Sequence, residues 1–342
     1  MEKKFVLLNY FGNVNEDLLN PNARDNSTEP FIQLKDEIIK LGYKFEQAKE
    51  QSINDCSVIL FWGVFQNLYL INLKRKLRNF FTSQNNHINR NWLKEAQING
   101  KTNCPVLVLW EGKAVCPQNF EKKNYKYFSK ILTWDDSIVD GIKIHKFCLP
   151  IPVNIPKVKE INYSEKKLLV NISSNKFSNY THELYSERVK SIRYFEKEKK
   201  NDFDLFGYGW SDSENKSKPY PSYQGTVKNK WEVFPNYKFA LCYENNCDQL
   251  GNITEKIFDC LRADCVPIYW GAPNINDYVD PRCFIDRRNF KSNYELDKYI
   301  SGISEAQYIE YRKAAKVYLE TEQFKQLLTP SFVKRFVHVL EL

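Results

Sequence analysis

The chain has 342 residues, 42% of them hydrophobic and 27% charged, a globular balance that excludes a disordered or fibrous protein. No stretch approaches the ~18 uncharged apolar residues of a membrane-spanning helix, and nine cysteines without a Cys-x-x-Cys pair, beside only four histidines, argue against a zinc site or a His-based metal centre. Fifty Lys and Arg against 42 Asp and Glu leave a formal charge of +8, which suits an anionic partner: a phosphorylated small molecule, a nucleic acid or an acidic membrane surface.

At ~150 residues per domain the length predicts about two domains. In chain order, the first half offers short β-rich runs at 5–9, 57–62, 105–110 and 130–133. Between the first two, Phe31, Leu34, Ile38 and Leu41 recur at helical spacing. The basic cluster Lys74-Arg75-Lys76-Leu77-Arg78, with Leu73, Phe80, Phe81 and Trp92 nearby, reads as a solvated helix face or as a candidate contact with anionic lipid. Asp135-Asp136 reads as a surface turn. Three prolines then crowd the segment 149–156, and because proline fixes φ and lacks an N–H, this segment can neither continue a helix nor sit centrally in a sheet. It is taken as a linker, 151–165, between an N-terminal domain, 1–150, and a C-terminal domain, 166–342.

The second half alternates more clearly. Strand-like runs at 168–172, 203–206, 237–243 and 266–270 are separated by helical patterns at 183–197 and 254–261, and helices follow from Tyr294 onward. Strands alternating with helices predict parallel sheets covered on both faces. Two such halves predict an α/β protein with a cleft between its domains. The scattered cysteines read as buried free thiols in a reducing compartment, so a cytoplasmic protein is expected.

The stretch 237–271 is the most informative. A strand ends at Tyr243, a polar loop carries Glu244, Asn245, Asn246 and Asp248, and a helix opens near Asn252 to Thr254, with Lys256 in its first turn. Ligands of open α/β sheets bind at such strand ends, and a helix N-terminus favours an anion there. Spacing alone leaves a second reading open: Asn252-x-x-Glu255 fits a capping box, in which Glu255 only satisfies a backbone donor and Lys256 is an ordinary exposed lysine.

Several separated motifs resemble the α1,3-fucosyltransferase family, glycosyltransferase family 10. They are Ser174-Asn175, Glu187-Arg188-Val189, Phe206-Gly207-Tyr208-Gly209-Trp210 and Tyr223-Gln224-Gly225, then Glu244-Asn245, Thr254-Glu255-Lys256 and Val266-Pro267-Ile268-Tyr269-Trp270-Gly271, in the family's order over 166–290. In the first half, Trp110-Glu111-Gly112 resembles the position of the family's acceptor-side carboxylate. The resemblance implies a GT-B fold, two Rossmann-like domains facing across a cleft, and inverting transfer of fucose from GDP-β-L-fucose to a sugar hydroxyl of an acceptor glycan. It implies Glu111 as the base, Arg188 and Lys256 on the pyrophosphate, and Glu255 beside the developing cationic sugar. Ser174, Asn245 and Asn252 complete the donor contacts, Asn252 standing where many relatives carry Tyr. No Asp-x-Asp signature is present, so no metal or other cofactor is expected. The lack of an N-terminal anchor and of a luminal cysteine pattern implies a bacterial or viral source. The rival readings are a GT-B enzyme using another nucleotide sugar and, more remotely, a non-catalytic nucleic-acid or glycan-binding protein; no nucleic-acid motif is present.

Overall fold

A computed structural model of the chain describes residues 4–8, 19–21, 23, 27–47, 53–63, 92–211 and 219–342. The basic cluster 74–78 and its neighbours Leu73, Phe80 and Phe81 lie outside the described residues. Among the described residues no helix is long and apolar enough to cross a membrane.

The contacts divide the chain into two compact units. The first holds the described residues of Met1–Pro21 and Thr28–Phe147 together with Phe332–Leu342, and the second those of Asn22–Ser27 and Cys148–Ser331. Two boundaries therefore differ from the sequence reading. The proline-rich stretch is part of the second unit: Ile151 is fully buried and bridges Leu328, and Arg262 donates to the carbonyls of Pro152 and Val153. The last eleven residues, Phe332–Leu342, return to the first unit. They carry Phe332 and Phe336, whose rings pack on Phe147 at 5.9 and 5.7 Å, and such apolar rings settle wherever unfilled aromatic surface remains.

In the first unit a six-stranded sheet has the order β2-β1-β3-β4-β5-β6, with β1 Lys4–Leu8, β2 Lys44–Gln47, β3 Cys56–Trp62, β4 Pro105–Leu109, β5 Lys130–Thr133 and β6 Ile144–Lys146. All its pairings are parallel. Helices α1 (Glu29–Lys40) and α2 (Trp92–Ile98) belong to this unit, and α1 buries Phe31, Leu34 and Ile38, three of the four residues that carry its helical spacing, while Leu41 caps its C-terminus and is exposed. Asp135 is buried and accepts from the Ser137 N–H and hydroxyl, while Asp136 pairs with Lys146 at 2.5 Å. The expected surface turn is thus half interior, because the first carboxylate closes the turn on itself.

The second unit holds a five-stranded parallel sheet of order β11-β10-β9-β7-β8, with β7 Lys167–Ile172, β8 Phe203–Phe206, β9 Tyr237–Tyr243, β10 Val266–Trp270 and β11 Ile285–Asp286. Its helices are α3 Tyr185–Glu198, α4 Lys230–Val233, α5 Glu255–Arg262, α6 Asn293–Gly302, α7 Glu305–Leu319, α8 Glu322–Lys325 and α9 Thr329–Leu340, the last running on into the first unit. Both faces are covered, as a parallel sheet requires: Ala240 and Cys242 of β9 enter one apolar cluster, and Phe239, Leu241 and Tyr243 the other. From β7 the chain moves outward to β8, then returns to lay β9 on the other side. The switch point lies between β7 and β9, where such sheets open a crevice at their C-terminal ends.

Candidate active site

Five of the expected residues meet at that switch point. Ser174 follows β7, Asn245 follows β9, Arg188 lies in the first turn of α3, and Glu255 and Lys256 open α5; together they line a cavity of about 280 Å³. The turn after β8 shapes its rim. Gly207 has φ +129° and lies so close to Ser173 that a Cβ would fall 1.9 Å from the Ser173 carbonyl oxygen, which also accepts from Trp210 Nε1 at 2.6 Å.

Arg188 is 4% exposed, and its Nη2 donates to the carbonyls of Tyr243 (2.7 Å) and Glu244 (3.1 Å). The guanidinium therefore fixes the end of β9 while facing the cavity. Burial draws its pKa below the usual arginine range, with Tyr185 and Glu244 acting against the shift.

Lys256 Nζ donates to Thr254 Oγ1 at 2.8 Å and to Glu244 Oε2 at 3.1 Å, with Glu255 Oε1 at 3.8 Å. Burial alone would lower its pKa, but Glu244 and then Glu255 outweigh it and hold the ammonium above the usual lysine range. Glu255 is half exposed. Desolvation opposes its ionisation, yet Lys256 and Lys230 more than compensate and keep the carboxyl below its ordinary value.

The residue expected to cap α5 does not do so. The helix begins at Glu255, Thr254 is its N-cap, and the Thr254 hydroxyl accepts from the Lys256 N–H at 3.4 Å. Asn252 is 5% exposed and donates to Asn246 Oδ1 at 2.9 Å, while Asn246 donates to Asp248 and Gln249. Buried amides must find partners, and these satisfy one another, so Asn252 belongs to a buried polar chain and is not among the residues lining the cavity.

Glu111 stands on the first unit, half-buried just past β4, with its carbonyl accepting from the fully buried Asn119 at 3.1 Å. The other six site residues belong to the second unit.

Sequence reasoning missed Lys176, Tyr185, Lys230 and Asp259, which also line the cavity. Lys230 and Asp259 form a buried ion pair. Lys230 begins a four-residue helix capped by Asn229, which accepts from the Trp231 N–H at 3.0 Å. A single lysine on so short a helix carries no periodic signal. Lys176, the residue directly after the Ser174-Asn175 motif, could have been found by position. Taken together, four cations against Glu255 and Asp259 line a hollow at a helix N-terminus, which favours a polyanion. Among the described residues no group of three or more His, Cys, Asp or Glu side chains could hold a metal ion. None of the nine cysteines is in a disulfide.

A family model described as Glycosyltransferase family 10 (fucosyltransferase) C-term matches residues 164–334. The α-(1,3)-fucosyltransferase FucT of Helicobacter pylori is 42% identical over 74 residues, 22% of this chain and 15% of that protein. The α-(1,4)-fucosyltransferase of Arabidopsis thaliana is 40% identical over 78 residues, 22% of this chain and 19% of that protein. The chain thus matches less than a fifth of the length of these curated relatives. A crystal structure of an α1,3-fucosyltransferase superposes with a TM-score of 0.56 at 17% identity, covering 100% of this chain and 91% of that one. That likeness, with the two parallel α/β sheets, establishes the GT-B fold.

Proposed function

The chain belongs to glycosyltransferase family 10, the fucosyltransferases, and on that premise we propose that it transfers L-fucose from GDP-β-L-fucose to a hydroxyl of a GlcNAc-containing acceptor glycan, in α1,3 linkage and with inversion at C1. The observation that carries the reading is the cationic cavity at the β7/β9 switch point, where Arg188, Lys256 and the start of α5 converge on a volume of about 280 Å³. The acceptor oxygen bonds to fucose C1 as the bond from C1 to the phosphate oxygen breaks, and GDP leaves with that electron pair. A sugar hydroxyl is a weak nucleophile until a carboxylate accepts its proton, the role assigned to Glu111. Negative charge grows on the departing pyrophosphate and is met by the Arg188 fork, the Lys256 point charge and the helix N-terminus. Glu255 faces the sugar as positive charge develops on it, and Ser174 and Asn245 supply neutral hydrogen bonds to the donor. With side chains providing the positive charge, the reaction needs no metal, and activity is expected to survive EDTA.

The test is incubation with GDP-fucose and a panel of GlcNAc-containing acceptors, followed by product mass and linkage analysis. Binding of GDP-fucose is measured against GDP-mannose and UDP-sugars. Turnover of another nucleotide sugar in preference to GDP-fucose, or EDTA inactivation reversed by Mn²⁺, would overturn the corresponding part of the proposal.

A further inference from the structure

We propose that Glu244 is a positioning residue for Lys256: a buried carboxylate behind the cavity wall that aims the ammonium and locks the first turn of α5. The inference rests on the reading of Lys256 as a donor-phosphate group. Glu244 is fully buried and is absent from the cavity lining, so it acts through its neighbours. Its Oε1 accepts from the Thr254 N–H at 2.8 Å, and its Oε2 accepts from the Thr254 hydroxyl at 2.8 Å and from Lys256 Nζ at 3.1 Å. Its backbone is held as firmly, the N–H donating to Trp270 O at 2.8 Å and the carbonyl accepting from Arg188 at 3.1 Å. Gly271 makes room for it: a Cβ there would stand 2.5 Å from Glu244 Cγ.

A carboxylate withdrawn from water is strongly unfavourable unless charge and hydrogen bonds compensate it. Here one carboxylate takes the cap residue's N–H and hydroxyl and the lysine's ammonium together. If its task were only to tie the loop to the helix, a neutral amide of the same shape would serve. The negative charge adds something else: it keeps Lys256 protonated and pointed. The charged groups acting on Lys256 are Glu244 from the end of β9, Glu255 on its own helix and Arg188 on α3.

The experiment compares Glu244→Gln, Glu244→Asp and Lys256→Ala in the full chain by steady-state kinetics, pH–rate profiles and GDP calorimetry. Glu244→Gln is expected to lower kcat about tenfold or more, with GDP affinity within about threefold of wild type. The alkaline fall in kcat should begin about one pH unit lower. Glu244→Asp keeps the charge and should restore the wild-type pH profile. A Gln variant with wild-type kcat and an unmoved alkaline limb, beside an impaired Lys256→Ala, would overturn the role of Glu244 alone. Unimpaired Lys256→Ala would instead sink the reading of the cavity. Should Glu244→Gln fail to fold, ¹³C-dimethyl-lysine NMR of the wild-type protein decides: the Lys256 signal stays protonated beyond the other lysines, and its titration in the ordinary lysine range overturns the proposal.

Discussion

Gly207→Ala is the most quantitative prediction of the fold that carries the cavity. The new Cβ would lie 1.9 Å from Ser173 O and 2.7 Å from Ser173 C, roughly 1.4 Å short of a normal carbon–oxygen contact. Neither partner can retreat cheaply. Ser173 N donates to Phe206 O at 3.0 Å, Ser173 O accepts from Trp210 Nε1 at 2.6 Å, and Gly207 N donates to Gly225 O at 3.0 Å. Relief costs one or two of these bonds at about 1 kcal/mol each, and the backbone at φ +129° adds about 1–3 kcal/mol of strain. The sum, about 2–5 kcal/mol, is a large share of a domain's typical ~5–15 kcal/mol. Gly225→Ala is the matched control, since at φ +105° it has no atom within 4 Å and carries strain alone. The assay is urea denaturation followed by tryptophan fluorescence, with GDP calorimetry in parallel. Because Ser173 and Ser174 line the cavity, GDP affinity should fall about tenfold in the Gly207 variant and stay normal in the control. Equal urea midpoints and equal GDP affinities for the two variants would refute the reasoning.

Lys256→Ala should lower turnover by roughly 10²–10³ and, by leaving buried Glu244 without its counter-charge, cost about 3 kcal/mol of stability at neutral pH; turnover and urea midpoints measure the two separately. Because the folded-state pKa of Lys256 is raised, its contribution is fully present below the unfolded value of ~10.4 and is lost only as pH rises through the higher folded value. Stability curves between pH 6 and about 9.5 should therefore show no slope from this residue. Glu111→Gln should retain GDP binding by calorimetry while transfer is suppressed; unchanged transfer would place the base elsewhere. Burial pushes the Cys283 thiol up to about 12 and the Cys265 thiol higher still. Native alkylation at pH 7.5, read by peptide mass mapping, should therefore spare both and label them only after denaturation.

Much of this site was legible because its elements obey strong local rules. Strand β9 announces itself by an apolar run ended by a polar loop, and β10 by an apolar run stopped at Gly271. The family resemblance singled out the five cavity residues, and all of them sit where a strand ends or a helix starts. Three of the four edge strands were illegible for the opposite reason, whereas β8, equally short, was read from its Phe-x-Leu-Phe run. Strands β2, β6 and β11 have four, three and two residues, too few for alternation to show, and they are strands only because a neighbour's backbone completes their hydrogen bonds. The fate of the final helix was equally hidden, since nothing in the pattern of 332–342 says which unit its aromatic face will cover. Asn252 fails as a cap by two residues, within the usual uncertainty of helix ends, and the consequence is chemical: it moves from the ligand's side to the interior.

What the sequence could least supply was the pairing of charges. Lys256 reads from spacing as a surface lysine, yet its ammonium is backed by a buried carboxylate twelve residues earlier. Lys230 is backed in the same way by Asp259. A cation so backed is less free to follow solvent than an exposed one, because swinging away would abandon a desolvated carboxylate. Pre-orientation of this kind lowers the reorganisation needed when charge develops on a leaving group. On the proposed function it would also temper ground-state grip on the diphosphate, since the phosphate oxygens would share each ammonium with its carboxylate. The arrangement therefore favours stabilisation that grows with the leaving charge over tight holding of the intact donor, which is the difference that accelerates a reaction.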